Sequence, residues 1–223
     1  MKLWFRKGEL MKYKLVIFDM DGLMLDTEII YHKSWESLDG KYDLTFDDEL
    51  RSKVSGLNES TIRKVLKKYL GSEEKVLELR KDLEAYRDNW LKTYDESIKK
   101  EGLDELLEFL KENNIRACIA SSNDRDKIEY LIDKENISDY FDFIISGEDV
   151  KNSKPDPEIF IKAAQKAGVS KDQALILEDS YNGYLACQKS LMDYYIIHDS
   201  SFEKSFEANR ELENLAKVID KIK

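Results

Sequence analysis

The sequence predicts a doubly wound, parallel α/β core interrupted by an all-helical insertion, and three observations carry that prediction. Leu15 to Phe18 is a short apolar run, of the kind a strand buried on both faces shows, and it ends abruptly in Asp19, Asp21 and Gly22. Residues 28–99 are charged and helical in pattern, with no convincing strand. From Gly102 onward, apolar runs alternate with helical faces, the rhythm of strands joined by crossover helices.

The first strand matters most. Ligand crevices in open α/β sheets lie outside the carboxyl ends of the strands, so Asp19 and Asp21 arrive where chemistry is done. Gly22 turns the chain at once, which lets both carboxylates approach one reacting atom. In the insertion, Ile62, Val65, Leu66, Tyr69 and Leu70 fall on one helical face that Gly71-Ser72 ends; Val76, Leu79, Leu83, Tyr86 and Trp90 mark a second, longer helix. These stripes are read as helix packing, and the insertion as a separate cap domain.

Beyond Gly102, Leu103, Leu106, Leu107 and Leu110 form a helical face ended by Asn113-Asn114. Ile115 to Ala120 reads as a buried strand, and Ser121-Ser122-Asn123-Asp124 opens the next helix. Phe141 to Ile145 is a further strand, and Asp156 and Pro157 are read as N-cap and first residue of a helix that Gly168 stops. Ala174 to Leu177 ends in Glu178-Asp179-Ser180, Tyr194 to Ile197 is a short fifth strand, and the last eighteen or so residues are read as a terminal helix. The expected domains are a core of residues 11–25 and 100–223 and a helical cap of residues 26–99. Residues 1–10 precede a second methionine, Met11, and are a candidate non-native extension, because Lys7-Gly8-Glu9 has the purine-rich coding of a ribosome-binding sequence.

Composition narrows the function classes. The 223 residues carry a formal net charge of -10, which argues against binding a phosphate backbone and so against nucleic acid as a partner. No apolar run approaches bilayer-spanning length and the N-terminus lacks a signal-peptide core, so the expectation is a cytoplasmic protein with no membrane partner. Cys118 and Cys187 lie in apolar runs far apart and are read as two reduced core thiols.

Asp19-Met-Asp21-Gly22 followed by Asp26-Thr27 resembles the first motif of the haloacid dehalogenase superfamily of aspartate-nucleophile phosphotransferases, and the later loops extend the resemblance from Tyr13 to Ile197. Ser121 matches its second motif, Lys154 in Ser-Lys-Pro-Asp-Pro its third, and Glu178 with Asp179 its fourth. The resemblance implies a Rossmann-like core and phosphoryl transfer through a covalent aspartyl phosphate. Asp19 would be the nucleophile and Asp21 the acid and base. Lys154 would neutralise charge at the head of a helix, and Ser121 would bind a phosphoryl oxygen with the Ser122 N–H nearby. Mg²⁺ would be held by Asp19, the Asp21 carbonyl, Glu178 and Asp179. Gly22, Leu23, Thr27, Tyr31, Asn58, Ser122 and Asn123 are the candidate substrate contacts.

The position of the insertion is similar to the cap of the β-phosphoglucomutase-like branch, where the cap closes over the core and selects the leaving group. Asp21 favours phosphate esters, since relatives that cleave carbon–halogen or carbon–phosphorus bonds lack it. Mutases of this type place a histidine where Tyr31 stands and a cap arginine where residues 54–59 have none; His32 is one residue late, about 100° round a helix. The favoured reading is therefore a phosphatase acting on a small, sugar phosphate-like monoester, with a sugar-phosphate mutase as the alternative. A receiver-type switch or a non-catalytic phospho-ligand binder stands behind both. A site completed within one chain permits a monomer. Two departures from the family pattern are structural: Lys189-Ser190-Leu191-Met192 replaces a usual Ala-Gly-Met, and Glu101 replaces a proline.

Overall fold

The structure, a computed structural model, describes residues 11–47, 49–50, 53, 59–197, 206 and 208–223. The chain forms two compact units, one ending at Leu25 and resuming at Lys99, the other Asp26–Ile98. Where the chain crosses between them, Leu25 bridges Lys99 antiparallel, the Asp26 N–H donates to the Ile98 carbonyl at 2.7 Å and the Lys100 N–H to that of Met24 at 2.8 Å.

The first unit is built on five parallel strands, β1 (Leu15–Phe18), β2 (Arg116–Ala120), β3 (Phe143–Ile145), β4 (Ala174–Glu178) and β5 (Asp193–Ile196), in the order β3-β2-β1-β4-β5. Every residue of β1 and β4 is buried, which explains their unbroken apolar runs: both sheet faces are covered. Register is level at the carboxyl ends, with Phe18 beside Ile119 on one side and Leu177 on the other. The strand order reverses between β1 and β4, where a doubly wound sheet opens its crevice.

The helices of this unit are α4 (Leu103–Glu112), α5 (Arg125–Lys134), α6 (Glu158–Ala167), α7 (Tyr181–Ser190) and the single turn α8 (Ile219–Ile222); the second unit holds α1 (Glu28–Glu36), α2 (Glu59–Leu70) and α3 (Glu73–Thr93). Helix α3 starts where expected because Ser72 Oγ accepts the Lys75 N–H at 3.1 Å, and its Val76, Leu79 and Leu83 join Trp35, Leu44, Leu50, Leu66 and Leu70 in a core of the second unit's own. The core of the first unit gathers Leu15, Ile17, Phe160, Ala163, Ile176 and both free cysteines.

Strands β2, β4 and β5 begin or end one residue from where the sequence placed them, and three further details differ. Helix α6 starts one residue later, with Pro157 at the cap and Asp156 Oδ1 accepting the Glu158 N–H at 3.0 Å. Strand β3 begins only at Phe143, because residues 138–140 close a 3₁₀ turn. The C-terminal segment is not one helix: it breaks into turns at 208–210 and 215–218 before α8. Packing outranks propensity there. The Leu212 N–H donates to Ile196 at 2.9 Å, the Leu215 N–H to Glu101 at 3.3 Å, and Gly102 lies so close to Ala216 that a Cβ would stand 2.3 Å from its nitrogen. Glu101 also accepts Asn214 Nδ2 at 3.0 Å, a tether that a proline side chain could not supply.

Candidate active site

Asp19 continues β1 for one residue, its N–H still donating to the Leu177 carbonyl at 3.0 Å. Ser121 does the same for β2, donating to Ile145 at 3.1 Å, while Glu178 closes β4 and Lys154 comes from the loop after β3. The level register of the strands brings these four chain segments to one place, and the side chains of Asp19, Lys154 and Glu178 meet there almost without water, at 10%, 8% and 0% exposure.

Lys154 Nζ bonds Asp19 Oδ1, reaches Glu178 Oε1 at 2.6 Å, and stands 5.0 Å from the centre of the Phe160 ring. Burial works against its charge, but the Asp19 and Glu178 carboxylates outweigh that and hold its pKa above the ordinary lysine value. Burial pushes the Asp19 carboxyl up to about 7, with Glu178 and Asp21 adding to the rise and Lys154 opposing it. Asp179 is pushed well above its ordinary value too, by burial first and then by Glu178 and Asp19. Three carboxyl groups thus gather about one ammonium.

The donor set fits a hard cation. Carboxylate oxygens of Asp19, Glu178 and Asp179 lie within 4.8 Å of one another. Glu178 is already committed: besides Lys154, it accepts the backbone N–H groups of Asp179 and Ser180, each at 2.8 Å, and Ser180 Oγ at 3.1 Å. Asp19 and Asp179 would therefore be the better direct ligands for a cation, with Glu178 bracing them. Gly22 makes room for this: at φ 79° a Cβ would stand 2.0 Å from Asp179 Oδ2. Gly183 does so for Glu178, whose carboxylate would lie 1.9 Å from an added Cβ.

On the other side of Asp19, Asn123 Nδ2 donates to Asp21 Oδ2 at 2.5 Å and Ser121 Oγ approaches the same oxygen at 3.5 Å. Asp21 Oδ1 is buried with no hydrogen-bond partner among the described residues. Ser121 is fully buried and accepts the Asn123 N–H at 3.2 Å, whereas Ser122 is exposed. The sequence offered Asn123 only as a substrate contact; its bond to Asp21 could not be read from a loop a hundred residues away, and neither could the contact of Lys127 Nζ with Asn123 Oδ1 at 3.3 Å.

The remaining candidate contacts are placed differently. Leu23 has no accessible surface, and Gly22 is engaged by its neighbours. Thr27 and Tyr31 belong to the second unit, where Thr27 is buried and Tyr31 is 40% exposed beneath the Arg87 guanidinium, 4.1 Å from its ring centre. Arg87 Nε also donates to Ser34 Oγ at 3.0 Å; the sequence patterning singled out neither Arg87 nor Ser34. Asn58 lies outside the described residues, as do residues 1–10.

A parallel sheet with an aspartate–lysine centre at the switch between its two halves, and acids fit for a cation beside it, defines a doubly wound α/β protein with a buried charged site at its strand ends. The chain belongs to the haloacid dehalogenase-like hydrolase family, whose sequence profile matches residues 16–197. It is 27% identical over 190 residues to a phosphorylated carbohydrates phosphatase of Thermotoga maritima, covering 82% of this chain and 85% of that one. It is 28% identical over 186 residues to the β-phosphoglucomutase of Bacillus subtilis, covering 80% of each. The solved β-phosphoglucomutase of Clostridium difficile superposes with a TM-score of 0.73 at 24% identity over 92% of this chain and 93% of that one, a likeness of fold.

Proposed function

We propose that this hydrolase is a Mg²⁺-dependent phosphatase that cleaves a small, sugar phosphate-like monoester through a phosphorylated Asp19. The observation that carries the reading is the water-poor pairing of Asp19 with Lys154, one strand over from Ser121 and beside the Asp179 cluster. Asp19, the main-chain carbonyl of Asp21 and Asp179 would hold the magnesium ion, with Glu178 behind them. A hard cation there supplies counter-charge that lets a carboxylate approach a phosphate dianion.

In the first half-reaction an Asp19 carboxylate oxygen forms a bond to phosphorus as the ester P–O bond breaks, and the Asp21 carboxyl gives its proton to the leaving oxygen, releasing the alcohol. Lys154 and Ser121 stabilise the phosphoryl oxygens. In the second, Asp21 takes a proton from water, the resulting hydroxide bonds phosphorus, and the Asp19–phosphorus bond breaks to release inorganic phosphate. Removing a single positioned donor from such a set costs roughly 3–4 kcal/mol, far less than the whole acceleration, so the groups act as a unit.

The second unit is assigned as the cap that selects the leaving group. The net charge of -10 supports a small-molecule substrate over nucleic acid, and the two buried, unpaired cysteines support a reducing, cytoplasmic location. No helix among the described residues is long and apolar enough to cross a membrane.

Phosphate release from a panel of small phosphomonoesters tests the reading. Wild type with Mg²⁺ is expected to release phosphate from sugar phosphates, and Asp19→Asn to lose at least about a thousandfold, as removal of a covalent nucleophile does. Conversion of a hexose 1-phosphate to its 6-phosphate without phosphate release would favour the mutase instead; inactivity in both assays would overturn the enzyme reading.

A further inference from the structure

The phosphatase reading gives Asp21 a proton to deliver but leaves open what aims it. A carboxylate on a turn can rotate, and one oxygen must face the leaving group while the other is held. Asn123 bonds Oδ2 at 2.5 Å, and Oδ1 has no partner among the described residues although it is buried. Whether Asn123 presents its NH₂ or its carbonyl depends on its far side, where Lys127 Nζ stands 3.3 Å from Oδ1. An ammonium only donates, so the amide oxygen must turn to Lys127 and the NH₂ to Asp21. Lys127 lies in the first turn of α5, just beyond the cap Asp124, and reaches back to the Asn123 side chain in the loop before the helix.

The backbone of Asn123 is fixed as well. Its N–H donates to Ser121 Oγ at 3.2 Å and its carbonyl accepts the Gly147 N–H at 2.9 Å. Gly147 itself is packed so tightly that an added Cβ would stand 2.4 Å from the Ser122 carbonyl oxygen. The loop after β3 therefore clamps the loop after β2, and the Asn123 side chain starts from an immobile base.

We propose that Asn123, oriented by Lys127, is a positioning residue for Asp21: it anchors Oδ2 so that Oδ1 handles the leaving group's proton. This rests on the phosphatase reading, and a comparison of two substrates separates the two. A p-nitrophenyl phosphate leaving group departs without protonation; the alkoxide of a hexose phosphate needs the proton. The parameter to compare is kcat/KM, which reports the steps through release of the leaving group. General acid catalysis contributes about 10²- to 10⁴-fold, so Asn123→Ala is expected to lower kcat/KM for the hexose phosphate about ten- to a hundredfold, and for p-nitrophenyl phosphate less than about threefold. Lys127→Met shifts both in the same directions by less, and Lys127→Arg restores the wild-type ratio.

Asn123→Asp keeps the shape and removes the donor, so the same selective loss is readable should the alanine variant not fold. Equal losses on both substrates would make Asn123 a phosphate contact or a merely structural residue and overturn the proposal. Wild-type behaviour of Lys127→Met would overturn its orienting part. A wild type inactive on both substrates would instead bring down the phosphatase reading.

Discussion

At Gly22 one missing methyl group decides whether two halves of the site coexist. The φ of 79° already disfavours any other residue, and the Asp179 carboxylate occupies the space a side chain would take. Gly22→Ala is therefore expected to displace Asp179, weaken Mg²⁺ activation at least about tenfold, and cost about 1–2 kcal/mol of stability from the backbone alone. Titration of activity with Mg²⁺ and urea unfolding check the two effects; unchanged Mg²⁺ activation would show that Asp179 does not need this space. The acids and Lys154 were legible in the sequence because their residue types cluster where strands end. The second duty of Gly22 was not: a glycine after Asp19 and Asp21 looks like a turn, and Asp179, the atom that excludes a Cβ, is remote in the chain.

Among the elements, the short turn Gly147–Asp149 holds the clamp over Asn123 and is itself held by one carboxylate. Asp149 Oδ2 accepts the Ser146 N–H at 2.8 Å, Ser146 Oγ at 3.0 Å and Arg125 Nη2 at 2.6 Å. Those bonds, the Ser146 N–H foremost, hold its pKa below the ordinary 3.8. A carboxyl depressed on folding adds stability above its unfolded value and loses it as pH falls through the folded one. Asp149→Asn is expected to be less stable than wild type at pH 7, with the gap closing as pH is lowered below about 4. Urea unfolding at a series of pH values measures it, and a gap constant with pH would remove Asp149 from the linkage. Most elements were legible because buried strands and amphipathic helices write their period into the chain. The C-terminal turns were not, because Ile196, Glu101 and Gly102 impose them from outside the segment. Leu191 shows the reverse case: at φ 61° and 77% exposed, it takes a left-handed position its side chain disfavours.

On the scale of the whole molecule, the two units have separate cores, and the acidic centre of Asp19, Glu178 and Asp179 belongs to the first. A cation bound there stabilises the folded chain by mass action, about 2.7 kcal/mol at a hundred times its Kd. Mg²⁺ is thus expected to raise the thermal midpoint of wild type by several degrees and to leave Asp179→Asn unmoved; calorimetry with and without the ion decides. The parallel sheet was legible from alternating strands and helices, whereas the order β3-β2-β1-β4-β5 was not, since no local pattern records which strand lies beside which.

That order also sets a timetable for the growing polypeptide. Strand β1 leaves the ribosome before both of its neighbours, β2 and β4, which start at Arg116 and Ala174. The continuous unit Asp26–Ile98 is made in between, so Leu15 to Phe18 stays apolar and unpaired until first β2 and then β4 has followed. For that interval the strand that leads into Asp19 is an unpaired apolar edge, the kind of segment that invites wrong partners.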